Sequence, residues 1–226
     1  MNTSFTIAAF AAKAKKVNEL SASRGRMIFA LDATGSRQPT WNLAKSMQRD
    51  MLAEAAKIGT LDVALSYFRN SRHDHDMRFS DFTSDPNSLI ELMNGIDCEF
   101  GPTQIIGMIS HALFLHSQEP INAMVYIGDN QEEDDFSFYD MCRRVASSGM
   151  KLFIFHELNS ETARRDAEIF RKGAELAGGA YMEFSEGSAK ELRELLLAVA
   201  AFATGGLKAL GNQNSNAARL LLTQLK

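Results

Sequence analysis

Short apolar runs alternate along the chain with longer stretches in which apolar residues recur every three or four positions. The first run, residues 26–31, is a near-continuous buried-strand pattern that empties into the polar loop Asp32-Ala-Thr-Gly-Ser36. Residues 41–58 follow with Leu43, Met47, Met51, Leu52 and Ala55 at helical spacing, closed by Gly59. A second strand is predicted over 61–68, and a polar turn over 70–76 leads to a third over 77–82. A connection this short cannot hold a parallel crossover, so the third strand should run antiparallel at the sheet edge. Helices are predicted over 85–93 and 104–116, the second with Thr103 at its cap and Ile105, Ile106, Ile109, Leu113 and Phe114 on its buried face. Strand 122–127 ends in Gly128-Asp129-Asn130 and a run of acids, Glu132 to Asp135. Helix 136–148, strand 150–155, helix 161–176, strand 180–184 and helix 188–202 complete a βαββαβαβαβα order.

This order predicts an α/β, doubly wound, Rossmann-like sheet of six mostly parallel strands in the order 3-2-1-4-5-6, with helices on both faces. The domain should span 25–203. Ahead of it, 1–24 holds an amphipathic helix with Ile7, Phe10, Ala14 and Val17 on one face. After it, 204–226 reads as a Gly- and Asn-rich linker and a short apolar helix.

Composition narrows the function classes. A net charge of −4 over 226 residues offers no basic footprint for nucleic acid. No apolar run of the ~20 residues needed to cross a bilayer is apparent, and the lysines at 13, 15 and 16 follow the first apolar stretch instead of preceding it. Neither a membrane nor a nucleic-acid partner is expected. Two cysteines, Cys98 and Cys142, suit reduced thiols and a cytoplasmic location.

The candidate chemistry sits where strands end. In the predicted order strands one and four are neighbours whose connections leave in opposite directions, so Asp32 and Asp129 fall on the two lips of the switch-point crevice. Asp32, Thr34 and Ser36, at alternate positions, offer hard oxygen donors suited to Mg²⁺ rather than to zinc or copper. Topology alone leaves the loop at Thr103 at the opposite sheet edge unless it swings over the crevice. His73-Asp-His-Asp76 also holds metal-ligand types but reads better as a solvated turn, and His111, His116 and His156 read as structural.

The sequence resembles the von Willebrand factor A (VWA) domains with a metal-ion-dependent adhesion site. Asp32-Ala-Thr-Gly-Ser36 matches their DxSxS motif with Thr34 in the first serine position, Gly101-Pro-Thr103 their threonine loop, and Ile127-Gly-Asp129 their fourth-strand aspartate. The resemblance departs at Gly128 and Asn130, where the family commonly has threonine and glycine. It implies a divalent cation, Mg²⁺ with Mn²⁺ or Ca²⁺ as alternatives. Thr34 and Ser36 would hold it directly, Thr103 directly or through water, and Asp32 and Asp129 mainly through water. A protein partner would complete it with an acidic side chain, no bond being made or broken, and an ATPase or larger assembly is the kind of partner that relatives suggest. Arg37, Gln38, Trp41 and Asn130 would form the rim that reads the partner. The alternatives are a haloacid-dehalogenase-like phosphatase with Asp32 as nucleophile, and a VWA scaffold without metal.

Overall fold

The computed structural model describes residues 24–71, 74–99, 101–184 and 188–225, with the side chains of Ser36 and of 70–71 and 74–76 outside that description. The predicted helix within 1–24 and the cluster His73 to Asp76 therefore lie outside the described residues or side chains. The elements are β1 (Arg24–Asp32), a 3-10 turn (Gly35–Arg37), α1 (Gln38–Ala55), β2 (Thr60–Ser71), β3 (Asp74–Phe79), α2 (Pro86–Asn94), α3 (Ile105–Gln118), β4 (Ala123–Gly128), α4 (Asp135–Ser148), β5 (Lys151–Glu157), α5 (Glu161–Leu176), β6 (Ala180–Phe184), α6 (Ala189–Gly211) and α7 (Asn216–Gln224).

They form one six-stranded sheet in the order β3-β2-β1-β4-β5-β6. The β2–β3 pair is antiparallel and the other pairs are parallel, as the connection lengths require. Successive residues of each central strand serve opposite faces. Met27, Phe29 and Leu31 join Val125, Ile127, Phe153 and Phe155 beneath α1, α6 and α7. Ile28 and Ala30 join Met124, Tyr126 and Ile154 beneath α3, α4 and α5. Continuous apolar runs are what a sheet covered on both faces demands.

Two sequence readings need correction. Strand β2 runs to Ser71 and β3 begins at Asp74, so the polar stretch read as a turn is mostly hairpin. Backbone pairing at a sheet edge needs no apolar pattern, which is why this extension left no signal. The segment read as a linker from 204 is helical, because α6 continues to Gly211 across a break at Gly205 and Gly206. Gly206, at φ 64° and ψ −159°, holds a conformation essentially restricted to glycine. By length and composition α6 could cross a membrane, which the sequence reading overlooked. Its apolar face, including Leu192, Leu196 and Val199, is spent on the core.

The break turns the chain back so that α7 lies against α6 and β6, burying Ala217, Ala218 and Leu221. From its last turn Gln224 reaches the edge strand: Nε2 donates to the Tyr181 carbonyl at 3.0 Å and Oε1 accepts from the Tyr181 N–H at 2.9 Å. One amide thus imitates a neighbouring strand and blunts an edge that would otherwise invite pairing. Gln224→Ala is expected to lower stability by about 1–2 kcal/mol and to promote concentration-dependent self-association. Sedimentation velocity checks this, and a variant that stays monomeric over a wide concentration range would remove the edge-blocking role.

Candidate functional site

The register brings three strand ends together. Leu31 pairs with Ile127 and Gly128 with His156, so Asp32, Asp129 and Glu157 close β1, β4 and β5 side by side at the carboxyl edge of the sheet. All three are buried, at 2%, 3% and 0% exposure. Isolated carboxylates at such burial are strongly disfavoured. The compensation comes from Arg37, itself 2% exposed. The 3-10 turn after β1 points its guanidinium inward, where Nη1 pairs with Glu157 and Nη2 lies 3.2 Å from Asp129 Oδ2. Thr40, on the first turn of α1, donates its hydroxyl to the same Glu157 oxygen that Arg37 contacts. Asn159 Nδ2 donates to Asp129 Oδ2 at 3.1 Å, and His156 Nε2 lies 2.8 Å from the Asp129 carbonyl. Burial holds the His156 pKa below the ordinary imidazole value, so this ring serves as a neutral packing and hydrogen-bonding group.

One guanidinium cannot balance three carboxylates. The Arg37–Glu157 pair is neutral by itself, and Asp32 and Asp129 remain. The Asp32 carboxyl accepts the Thr34 N–H at 2.8 Å, yet burial above all, with the neighbouring Asp129 charge adding to it, pushes its pKa up to about 7. The Arg37 charge offsets only part of this rise. Asn130, next to Asp129 in the chain, has a buried Oδ1 with no hydrogen-bond partner among the described residues. Among those residues no three His, Cys, Asp or Glu side chains are grouped to hold a metal. A cation here would therefore need hydroxyl and water oxygens beside Asp32 and Asp129, and that donor set fits a hard, hydrated divalent ion.

The Thr103 loop does swing over the crevice. Its N–H donates to Glu132 Oε2 at 3.0 Å, and its Oγ1 accepts the Glu132 N–H at 3.2 Å, which ties it to the loop that carries Asp129. Thr103 does not cap α3, however. Gln104 holds the N-cap position without a side-chain cap, and Glu133 Oε2 accepts the Ile106 N–H at 3.0 Å from across the crevice. A carboxylate delivered there satisfies an orphan donor and meets the positive end of the helix dipole. The acidic run is thus put to use: Glu132 and Glu133 hold the α3 entrance, and Asp134 caps α4 through the Ser137 N–H.

The rim assignments fare differently. Trp41 is 1% exposed, donates Nε1–H to the Met93 carbonyl at 3.1 Å and packs edge-on against Tyr67; it is a core residue. Arg37 likewise lies inside, because the buried carboxylates draw it there. Gln38 is half-buried and latches the loop after α2, accepting the Cys98 N–H at 3.0 Å. Asn130 stays at the crevice. Glu157, Asn159 and Thr40 went unnoticed in the sequence, although Glu157 ends an apolar strand just as Asp32 does, and that was the available signal. The departure at Gly128 also has a cause: a Cβ there would come 2.2 Å from the Tyr126 hydroxyl, so Tyr126 fills the space of any side chain at 128.

No protein-family model matches the chain, and no curated protein does. Solved structures do. BatB from Bacteroides thetaiotaomicron, described as a conserved hypothetical protein, matches at 19% identity and TM-score 0.57, with 78% of this chain and 98% of that one covered. The SpRpn10 VWA domain matches at 11% identity and TM-score 0.59, covering 77% and 94%. The fold is that of a VWA domain. The vWF domain of the type V pili tip protein Mfa5 from Porphyromonas gingivalis agrees, at 9% identity and TM-score 0.58, covering 84% and 97%. At such identities the likeness establishes the VWA fold alone, and the site rests on this chain's own residues.

Proposed function

We propose that this VWA domain is a non-enzymatic protein-interaction module, cytoplasmic in location, in which a divalent cation held at the β1–β4 crevice is completed by an acidic side chain of a protein partner. The observation that carries the reading is that three buried carboxylates, Asp32, Asp129 and Glu157, share one guanidinium, Arg37, which pairs with Glu157 and Asp129 and leaves a net negative charge beside Asp32. Mg²⁺ or Mn²⁺ would supply the missing charge and an electrophilic position for a carboxylate. Thr34, Ser36 and Thr103 are the hydroxyl donors assigned to it. Asp32 and Asp129 neutralise it and orient its waters. The paired hydrogen bonds between Thr103 and Glu132 tie the Thr103 segment to the loop that follows Asp129.

The phosphatase alternative finds less support. An aspartyl nucleophile must reach phosphorus, and Asp32 is 2% exposed. Such chemistry also calls for a lysine at the phosphate, whereas the positive charge acting on Asp32 is that of Arg37, engaged with Glu157.

The test is capture of partners from lysate on the immobilised full chain, in Mg²⁺ and in chelator, with Asp32→Ala in parallel, backed by calorimetry with Mg²⁺ and Mn²⁺. The expected result is a partner retained by wild type only with metal, and a binding isotherm that Asp32→Ala abolishes. Retention that ignores both chelator and substitution, with no isotherm, would leave a VWA scaffold without metal.

A further inference from the structure

We propose that the chain's own segment 7–17 folds back as a helix onto an apolar groove between α3 and the segment that leaves β3, with Phe10 seated against Phe114 and His111. The groove lies toward the amino edge of the sheet, away from the crevice, so the inference is independent of the metal reading. Helix α3 spends Ile105, Met108, Ile109 and Ala112 on the core. A second stripe runs down its flank at the i, i+3, i+4 and i+7 positions His111, Phe114, Leu115 and Gln118. Phe114, expected from the sequence on the buried face, stands 60% exposed. Opposite the stripe, Phe79 stacks on His111 with ring centroids 3.6 Å apart, and the Arg26 guanidinium sits over the Phe82 ring at 3.9 Å. Between them is a hollow of about 500 Å³ lined by Arg26, Phe79, Phe82, His111, Leu115 and Glu119, among others.

The point where the chain enters β1 selects the occupant. A smaller hollow beside Arg24 shares Arg26 and Glu119 with the groove, so the residues ahead of Arg24 join the sheet at the groove's mouth. Residues 18–23 can span up to ~20 Å when extended, enough for the segment before them to double back along α3. That segment carries Ile7, Phe10, Ala14 and Val17 at helical spacing, an apolar face about 15 Å long against about 11 Å for the stripe on α3. Lys13 and Lys16 flank this face on a helix, and the groove presents Asp81 and Glu119 at its rim. Glu119 accepts Arg26 at 2.7 Å yet keeps 63% of its side chain exposed, with room for a second cation. The match is therefore apolar along the centre and opposite in charge at the margin. Tethering raises the effective concentration of the segment at the groove, so a contact of this modest size is enough to hold it, whereas a free partner would have to find the same surface by diffusion.

Limited trypsin digestion of the full chain, with cleavage after Lys13, Lys15 and Lys16 followed by mass spectrometry at several protein concentrations, tests this. Phe114→Asp and Phe10→Ser should each be cut there roughly tenfold or more faster than wild type, because proteolysis tracks the population of the undocked segment. The double variant should be cut no faster than the quicker single one, since both substitutions remove the same contact. Phe136→Asp, at an exposed aromatic on α4, should behave as wild type. Cleavage elsewhere in the chain reports global unfolding separately, and if Phe114→Asp does not fold, Phe10→Ser decides. Wild-type cleavage as fast as that of the variants, or protection that survives Phe114→Asp, would overturn the inference. Protection that fades on dilution would also overturn it, by assigning the groove to a second copy of the chain.

Discussion

Arg37→Met on its own is expected to destabilise the domain by about 3–5 kcal/mol, whereas Arg37→Met combined with Glu157→Gln should fall within about 1–2 kcal/mol of wild type. The asymmetry follows from burial. Glu157 is fully buried and Asp129 is 3% exposed, so removal of the guanidinium leaves carboxylates that cannot recruit water in its place. In the double variant the amide at 157 can still accept the Thr40 hydroxyl now donated to Glu157, while Asp129 loses its ion pair with Arg37. Asn159 continues to donate to it. Urea denaturation in chelator at neutral pH measures both variants. Equal losses in the two would show that Arg37 acts through packing of its stem instead of through its charge.

Asp32 carries the second large effect, and its sign is opposite to that of an ordinary native-state carboxylate. With its pKa pushed by burial from the ordinary 3.8 up to about 7, the carboxyl stays protonated in the folded chain over a range where the unfolded chain has already ionised. The folded state then binds more protons, so the metal-free protein loses stability as pH rises from about 4 to about 7 and levels off above that. The full shift corresponds to at most ~4 kcal/mol. In chelator at pH 8, Asp32→Asn should therefore be more stable than wild type by roughly 1–3 kcal/mol, and it should show a flatter dependence of melting temperature on pH. Addition of Mg²⁺ or Mn²⁺ should reverse the ranking, because the cation binds the ionised carboxylate and displaces its proton. Differential scanning calorimetry from pH 5 to 8, with and without metal, checks both halves. An Asp32→Asn protein less stable than wild type at pH 8 in chelator would contradict the burial argument.

Both effects meet at the same few atoms. Arg37 stabilises the fold by answering Glu157 and part of the Asp129 charge, and the net negative charge left at Asp32 and Asp129 is what the proposed cation would meet. The acidic run illustrates the same economy of charge. Glu132, Glu133 and Asp134 look like solvated surface in a linear chain, yet they hold Thr103, the α3 entrance and the start of α4. Glu132 and Glu133 bond segments that only the folded sheet brings together, whereas Asp134 caps the helix that follows it.

The sequence by itself determined the layers, the strand order and the antiparallel edge, since apolar periodicity and connection length are local properties that a sheet covered on both faces constrains tightly. It also placed Asp32 and Asp129 on facing strands, because a carboxylate directly after a buried strand can only lie at that strand's end. What the tertiary structure decided was which charges answer one another. That Arg37 turns inward to Glu157, 120 positions away, that Trp41 packs instead of lining a rim, and that Gln224 closes the β6 edge depend on the proximity of side chains distant in sequence. Hydrophobic patterning reports whether a position is buried. It carries no record of the partner that makes a buried charge or amide tolerable, and that partner is set by register and rotamer once the sheet has formed.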